Sequence, residues 1–183
     1  MDKASHKGYS CRLLEEKDWH AYKQIRLLQS FENNFPERLT EESAQDDAYW
    51  KKLITGDTRF FGLFRGKEII GYTTASLAPE DRSIKFNGSY ISTPYRGRGL
   101  ADLLYEARLQ YTNSVQGFDY AFCQIWEGNT RSRHAAERNG FVNTGVYLDP
   151  DNRGEGNRSI IYRRDLQPSA AASPSPARAP RVS

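Results

Sequence analysis

The segment Arg96-Gly97-Arg98-Gly99-Leu100-Ala101 is the most informative stretch of this chain. It lies between an alternating apolar and polar run that ends near Ile91 and a long amphipathic segment. Its two glycines allow a tight turn and a close approach of a ligand to the backbone. The helix that follows directs its unpaired N–H groups and its positive dipole end toward the same point. The segment therefore predicts a binding site for an anion, above all a pyrophosphate.

The residues of the loop, taken alone, allow other interpretations. Arg-Gly repeats occur in RNA-binding tracts, but such tracts are repeated and disordered, whereas this copy is single and leads into a helix. The spacing also departs from the Gly-x-Gly-x-x-Gly fingerprint of dinucleotide sites, which needs an acid after the next strand. A plain glycine-rich turn explains the loop equally well until its surroundings are considered.

The surroundings of the loop predict a mixed α/β domain. Apolar alternation indicates strands at residues 9–14, 60–64, 68–75, 83–91, 120–126, 141–147 and 159–165. Helical spacing indicates helices at about 17–29, 40–55, 99–115 and 129–139. Thr40 is the expected N-cap of the second helix, and Gly140 ends the last one.

Length and charge restrict the class of protein. The 183 residues suit a flexible N-terminus at 1–8, one domain at 9–166 and a disordered tail rich in Pro, Ala and Ser at 167–183. Two of the three net positive charges lie in that tail, at Arg178 and Arg181, so the rest of the chain does not favour nucleic acid. Because no apolar run approaches a membrane span and no apolar signal core begins the chain, we expect a cytoplasmic protein without a membrane partner.

The cysteines and histidines do not form a metal-binding pattern. Cys11 and Cys123 each lie in a strand-like run, and we expect both to be buried free thiols. His6, His20 and His134 show no ligand spacing with them, so we expect no metal.

Two motifs in a fixed order suggest a family. The pattern Arg-x-x-Gly-x-Ala at residues 96–101 resembles the acyl-CoA loop of the GNAT superfamily of acetyl-CoA-dependent N-acyltransferases. The segment that opens with Asn129 and closes with Gly140-Phe141 resembles the second landmark of the same family. The resemblance covers most of residues 9–165 and is strongest from about 83 to 147.

The resemblance implies a single GNAT-like domain, α/β in class (more strictly α+β), that uses acetyl-CoA as co-substrate. Its sheet would be mixed and mostly antiparallel, with about seven strands, about four flanking helices and splayed fourth and fifth strands. The pantetheine arm would lie between those two strands, and the pyrophosphate would accept hydrogen bonds from the loop. The implied acetyl-CoA residues are Ser89, Tyr90, Ile91, Arg96, Gly97, Arg98, Gly99, Leu100, Ala101, Asp102 and Asn129.

The proton-transfer positions depart from the family pattern. The resemblance places a general acid at Ala136 and, in other members, a base at Gln124 or Lys85, and none of these side chains suits its step. Replacement candidates are Glu127, as a water-mediated base, and the hydroxyls of Tyr147 and Tyr90. Proximity and orientation alone can supply about 7–11 kcal/mol, so catalysis is not excluded.

The acceptor is expected to be an amine. Acidic residues of the segment that would roof the acceptor side either face solvent or attract a cationic amine, and they are Glu32, Glu37, Glu41, Glu42, Asp46 and Asp47. The sequence thus predicts an N-acetyltransferase that acts on a primary amine of a small molecule by direct attack in a ternary complex. A catalytically weak acyl-CoA sensor or partner-binding module is the alternative, and a protein N-terminal or lysine acetyltransferase is a third option. The sequence leaves the oligomeric state open, and a homodimer is possible.

Overall fold

A computed structural model describes residues 6–149 and 154–166 of the chain. The flexible ends predicted from sequence fall largely on residues 1–5 and 167–183, which lie outside the described residues. Residues 6–8 form the turn that leads into the first strand, where the Tyr9 N–H donates to the His6 carbonyl at 2.9 Å.

The described residues form seven strands and five α-helices. The strands are β1 (Tyr9–Leu13), β2 (Thr58–Arg65), β3 (Glu68–Ala78), β4 (Ser83–Ile91), β5 (Tyr120–Trp126), β6 (Val142–Leu148) and β7 (Ser159–Asp165). The helices are α1 (Trp19–Glu32), α2 (Pro36–Ser43), α3 (Asp47–Thr55), α4 (Ala101–Ser114) and α5 (Thr130–Arg138).

One mixed sheet contains all seven strands in the order β1-β2-β3-β4-β5-β7-β6. Every neighbouring pair is antiparallel except β4 and β5, which run parallel because α4 forms the crossover between them. These two strands pair only from Ser83 with Tyr120 to Phe86 with Cys123, and they separate beyond that point. The predicted α/β class, the seven-stranded mixed sheet and the splayed fourth and fifth strands are therefore confirmed.

The number of helices differs from the prediction of about four. The predicted helix at 40–55 is two helices, because Asp46 has an extended backbone and caps α3 by accepting the Tyr49 N–H at 2.8 Å. Thr40 is not a cap: it lies inside α2, which begins at Pro36, and its hydroxyl donates to the Pro36 carbonyl. The proline at the first helical position explains why α2 begins earlier than expected.

The two faces of the sheet bury different clusters of side chains. On one face, Tyr22 of α1 and Trp50 of α3 pack with Phe60, Tyr72 and other buried residues. On the other face, residues of α4 and α5 pack with Phe61, Ala75, Phe86 and their neighbours. Alternate residues of β2 and β3 therefore serve opposite layers, as the period of two in a strand requires.

Strand β3 approaches β4 closely at Gly71. A Cβ atom there would lie 2.5 Å from the Tyr90 carbonyl oxygen and 3.3 Å from the Cα of Ile91. We expect Gly71→Ala to lower the free energy of unfolding by about 1–3 kcal/mol, because the backbone of β4 has to move to admit the methyl group. Chemical denaturation measures the change.

Gly56→Ala is the matched control for this substitution. Its added Cβ would lie 3.4 Å from the Lys52 carbonyl oxygen, an ordinary van der Waals distance, at a backbone φ of −72°. The control should change stability by less than about 0.5 kcal/mol. Equal stability of the two variants would contradict the tight packing of β3 against β4.

Candidate functional site

The loop between β4 and α4 has the backbone of an anion cradle. Gly97 and Gly99 have φ angles of 77° and 74°, a region that side chains rarely adopt. Within the described residues, the N–H groups of residues 97–100 have no hydrogen-bond acceptor, whereas the Asp102 N–H donates to the Gly99 carbonyl at 3.1 Å. Because these free donors stand at the start of α4, the loop is suited to an anionic ligand.

The two arginines of the loop are held by the protein. Arg96 donates from Nε to the Ile91 carbonyl at 2.7 Å, and its Nη2 lies 3.3 Å from Glu32. Arg98 donates to the Tyr9 hydroxyl at 3.2 Å and to the Pro94 carbonyl at 3.1 Å. Both side chains stabilise the turn, and both are exposed enough to contact a phosphate as well.

Glu32 at the end of α1 fixes the segment that leads into the loop. Its carboxylate accepts the Tyr90 hydroxyl at 2.7 Å and both the N–H and the hydroxyl of Thr93, besides Arg96. Burial, followed by the hydrogen bond to Glu32, raises the pKa of Tyr90, so its hydroxyl stays protonated. Glu32 is therefore a structural partner of the loop, where the sequence had placed it among acidic residues near the acceptor.

A cavity of about 190 Å³ opens where β4 and β5 separate, and we call it the strand cleft. It is lined by residues 86–89 of β4, 123–126 of β5, Tyr105 and Arg108 of α4, and Asn129 and Ser132 near the start of α5. The register shift between Tyr72 and Thr74 leaves Gly88 and Ser89 opposite Thr73 alone, which is a β-bulge. The bulge turns this part of β4 toward the cleft.

Arg108 lines the strand cleft from α4, on the face of the sheet against which α4 and α5 pack. Its exposed fraction is 2%, its Nε donates to the Leu104 carbonyl at 3.1 Å, and its Nη2 has no partner in the described residues. Burial lowers the pKa of Arg108 to about 10, which leaves it charged at neutral pH. Sequence reasoning missed this residue, although an arginine one helical turn after Leu104 interrupts the apolar face of α4 and could have signalled it.

Asn129 and Asp102 connect the strand cleft to the helices. Asn129 caps α5 by accepting the Ser132 N–H at 3.1 Å, and it also lines the cleft. Asp102 accepts from Asn139 at 2.9 Å and from Arg138 at 3.1 Å, so its carboxylate joins the first turn of α4 to the end of α5. The capping and the binding interpretations of Asn129 are thus compatible.

A second cavity of about 340 Å³ lies between the sheet and helices α1–α3, and we call it the helix-side pocket. Its helical wall contains Tyr22, Arg26, Glu42, Tyr49 and Leu53. Its sheet wall contains Thr58, Phe60, Tyr72, Thr74, Ser76, Asn87 and Gly88. Asn87 and Gly88 also line the strand cleft, so the two cavities meet at the β4 bulge.

Glu127 and Tyr147, the predicted catalytic side chains, line neither cavity. The Glu127 carboxylate accepts the Gly156 N–H at 2.7 Å and lies 3.3 Å from Arg158. Hydrogen bonding from Arg158, followed by that from the Gly156 backbone, lowers the pKa of Glu127 against the opposing effect of burial. Tyr147 lies on the exposed strand β6 beneath the guanidinium of Arg158. Their catalytic roles stay predictions, and the geometry gives them no support.

The three positions at which the family resemblance expects an acid or base have different surroundings. Ala136 lies on α5 and is fully buried in the core, and Lys85 lies on β4 in the part that pairs with β5. Gln124 lines the strand cleft. None offers a titratable group that suits its family role. The cysteines are confirmed as free thiols: Cys123 is buried and Cys11 half-buried, and desolvation raises their pKa values to about 11 and about 12.

The model of the acetyltransferase (GNAT) family matches residues 23–141, and the chain belongs to this family. It is therefore an acyltransferase, and enzymes of the family use acetyl-CoA. No curated protein matches the chain by sequence.

Solved structures with the same fold include several acetyltransferases. A ribosomal L7/L12 alpha-N-protein acetyltransferase, RimL, in complex with coenzyme A superposes with a TM-score of 0.66 at 14% identity, over 90% of this chain and 97% of that one. NAA60 of Arabidopsis thaliana with a bisubstrate analogue superposes with a TM-score of 0.63 at 16% identity, over 88% of this chain and 99% of that one. The dodecameric spermidine N-acetyltransferase of Vibrio cholerae superposes with a TM-score of 0.60 at 20% identity, over 88% of this chain and 94% of that one. At these identities the similarity establishes the fold alone.

The two ends of the site fit acetyl-CoA. The free N–H donors of the loop suit the pyrophosphate of acetyl-CoA. The strand cleft lies between two unpaired strand edges, with which a strand-like arm can pair. Within residues 6–149 and 154–166, no three His, Cys, Asp or Glu side chains form a group that could hold a metal ion. None of the helices found there is both long and apolar enough to cross a membrane.

Gly99→Glu tests the loop. At a φ of 74°, a glutamate introduces backbone strain and a negative charge where the pyrophosphate would bind. We expect the affinity for acetyl-CoA to fall at least about a hundredfold, or about 2.8 kcal/mol, as measured by calorimetry. Gly117→Glu is the control, because Gly117 has a φ of 90° and open space around it far along the chain from the loop. Undiminished binding by Gly99→Glu would refute the assignment of the loop.

Glu127→Gln tests the predicted base. Because the carboxylate is already held by Arg158 and Gly156, we expect the rate of acetyl transfer to fall less than about tenfold and its pH profile to keep its shape. A general base would instead lose about 10²–10⁴-fold on substitution. A loss of that size, with a displaced pH profile, would return Glu127 to the mechanism.

Proposed function

We propose that this protein transfers an acetyl group from acetyl-CoA to a primary amine of a small molecule by direct attack within a ternary complex. The observation that supports the proposal is the meeting of the strand cleft and the helix-side pocket at Asn87 and Gly88. Two substrates bound on the two sides of the β4 bulge would bring their reacting groups together there. No covalent acyl-enzyme is needed for such a transfer.

The donor side of this proposal uses backbone groups. The N–H groups of residues 97–100 would hold the pyrophosphate, and the edge of β4 at Ser89, Tyr90 and Ile91, beyond its pairing with β5, would pair with the pantetheine arm. Asn129 would contact the same arm from the start of α5. The bulge at Gly88 and Ser89 would direct a backbone N–H at the thioester oxygen as negative charge develops on it.

The acceptor side combines aromatic and polar groups without excess charge. Arg26 forms an ion pair with Glu42 at 2.7 Å and donates to the Tyr72 hydroxyl at 2.7 Å. Hydroxyls and an amide line the opposite wall, where Asn87 donates to Ser76 at 3.0 Å. Because Glu42 is neutralised by Arg26, the pocket is better suited to an amine with aromatic or hydroxyl groups than to a polycation.

The acidic residues expected to attract a cation are mostly used elsewhere. Glu32 holds the loop and Asp46 caps α3, while Glu37, Glu41 and Asp47 are exposed on the outer surface. Only Glu42 of the six lines the helix-side pocket. The proposed selection of the amine therefore rests on the shape and hydrogen bonding of the pocket.

The size of the helix-side pocket favours a small acceptor over a protein. A volume of about 340 Å³, lined by side chains of three helices, is at the lower end of the range of small-molecule sites. The weak-sensor alternative is kept because the family positions for an acid and a base are Ala136, Gln124 and Lys85.

An acceptor panel tests the proposed function. The protein is mixed with acetyl-CoA and with aromatic amines, amino-sugars, polyamines, amino acids and peptides, and the release of free CoA thiol is measured. We expect release of the CoA thiol with small amines that carry no further charge, and no release with peptides. Tight binding of acetyl-CoA without release in any mixture would favour the sensor, and release with peptides alone would favour a protein acceptor.

Leu53→Trp sharpens this test. Leu53 lies on α3 in the wall of the helix-side pocket, and the larger side chain would occupy part of the volume. We expect the KM for the amine to rise at least about tenfold, with unchanged affinity for acetyl-CoA, because about 1.4 kcal/mol of acceptor binding is lost. Lys52→Trp adds the same side chain to the exposed side of α3 and should leave both constants unchanged. A KM unaffected by Leu53→Trp would exclude this pocket as the acceptor site.

A further inference from the structure

Arg108 has an unusual environment for a charged side chain. Its guanidinium carbon lies 4.3 Å from the ring centre of Phe86 and 4.6 Å from that of Tyr105. Of its nitrogens, Nε is satisfied by the Leu104 carbonyl, whereas Nη2 is buried and has no partner in the described part of the chain. A buried donor without an acceptor is destabilising, so it calls for a ligand that the folded chain alone does not provide.

Among the residues that the structure describes, no carboxylate is found to act on the charge of Arg108. The groups that face it are Tyr105 on its own helix, Cys123 on β5 and Cys11 on β1. Desolvation raises the pKa values of both cysteines, to about 11 and about 12, so both are neutral thiols at neutral pH. The rings of Phe86 and Tyr105 supply only a partial cation–π compensation, and the side-chain hydrogen bond with Tyr105 adds a neutral partner. A buried cation facing no anion is a site prepared for negative charge.

The position of Arg108 decides which negative charge it can meet. It lines the strand cleft where β4 and β5 stop pairing, next to Phe86 and Cys123. The loop lies at the start of α4, and Arg108 follows Ala101 by seven residues, which is about 10 Å along the helix axis. A pyrophosphate held by the loop would therefore lie about two helical turns from the backbone of Arg108, and we expect another part of the substrate to reach the guanidinium in the cleft.

We propose that Arg108 is a catalytic residue that stabilises the CoA thiolate as it leaves, in place of an acid that would protonate it. This inference rests on the proposed function. In the transfer, a C–N bond forms between the amine nitrogen and the thioester carbon. The C–S bond breaks with its electron pair on sulfur, and the proton of the amine passes to water. The charge on sulfur then lies against the Nη2 donor of Arg108.

The proposal explains the missing acid. The position at which the family resemblance expects a tyrosine acid is Ala136, which is fully buried and has no proton to give. A thiolate is a good leaving group when a fixed positive charge balances it, so protonation is unnecessary. A charge placed beforehand in a water-poor cleft also needs no reorganisation as the bond breaks.

The first test is the ionisation of bound CoA. The full chain is saturated with CoA, and the ultraviolet absorbance of the thiolate is followed as pH is varied. A cation in contact with sulfur should hold the pKa of the bound thiol about 1–3 below that of free CoA. An unchanged pKa in the wild-type protein would overturn the proposal without recourse to any variant.

The second test compares Arg108→Met with Arg59→Met. Methionine fills a similar buried volume without charge. Arg59 is a partly buried arginine of β2 that donates to Tyr111 of α4, the helix that carries Arg108, but it lines neither cavity. We expect Arg108→Met to return the pKa of the bound thiol to that of free CoA and to lower kcat about a hundredfold. Arg59→Met should leave both unchanged.

Binding of desulfo-CoA, the analogue without the thiol, separates the sulfur from the rest of the molecule. Arg108→Met should weaken CoA binding at a pH where the bound thiol is ionised and leave desulfo-CoA binding unchanged. Equal losses for the two ligands would overturn the proposal, because Arg108 would then serve the pantetheine arm or the fold. Failure of the wild-type protein to bind either ligand would refute the proposed function instead.

Thermal unfolding distinguishes a catalytic from a structural arginine. Because a buried unpaired charge is removed, the ligand-free Arg108→Met protein should unfold at the same temperature as wild type or higher. Marked destabilisation with an unchanged thiol pKa would mean a structural role and overturn the proposal. If the methionine variant fails to fold, Arg108→Gln carries the same expectations for the thiol pKa and for desulfo-CoA.

Discussion

The separation of β4 from β5 is the constraint on which the rest of this structure depends. The strands are hydrogen-bonded only from Ser83 to Phe86 on one side and from Tyr120 to Cys123 on the other. Beyond these pairs the sheet has two facing edges, and edges of this kind require partners for their N–H and carbonyl groups. An acyl-CoA arm that paired like a strand would meet that requirement, so the gap in the sheet would itself hold the donor in the proposed function.

The loop at the end of β4 is held from several directions. Glu32 joins α1 to Tyr90, Thr93 and Arg96, and Asp102 joins the first turn of α4 to Arg138 and Asn139. These contacts use the charged side chains and leave the backbone N–H groups of residues 97–100 available for an anion. Such preorganisation means that little conformational entropy remains to be lost when the anion binds.

The sequence predicted the elements around the motifs most closely. The bounds of β4, β5 and β7 agree with the apolar alternation, because strands with one buried face show a clear period of two. The region 36–55 was assigned less well, since an N-cap at Asp46 and a first-turn proline at Pro36 divide one helical pattern into two helices. Glu127 shows the limit for the site. Its residue type suited a base, but the structure pairs it with Arg158 and Gly156, which lie about thirty residues further along the chain. Contacts between residues so far apart in sequence depend on the tertiary fold, and local sequence patterns do not predict them.

The sequence by itself determined the family and the sheet, and it predicted where a pyrophosphate would bind, because these depend on local backbone chemistry: two glycines, a helix start and alternating strands. Only the tertiary structure decided what surrounds the reacting groups. It brought Asn87 and Gly88 to the junction of two cavities and paired Glu42 with Arg26. It also buried Arg108 in the wall of the strand cleft, where its Nη2 has no partner among the described residues. In the proposed function, the anion loop that first indicated a ligand concerns the donor alone. The side chains proposed to serve the acceptor and the leaving group meet only when the sheet and its helices pack together.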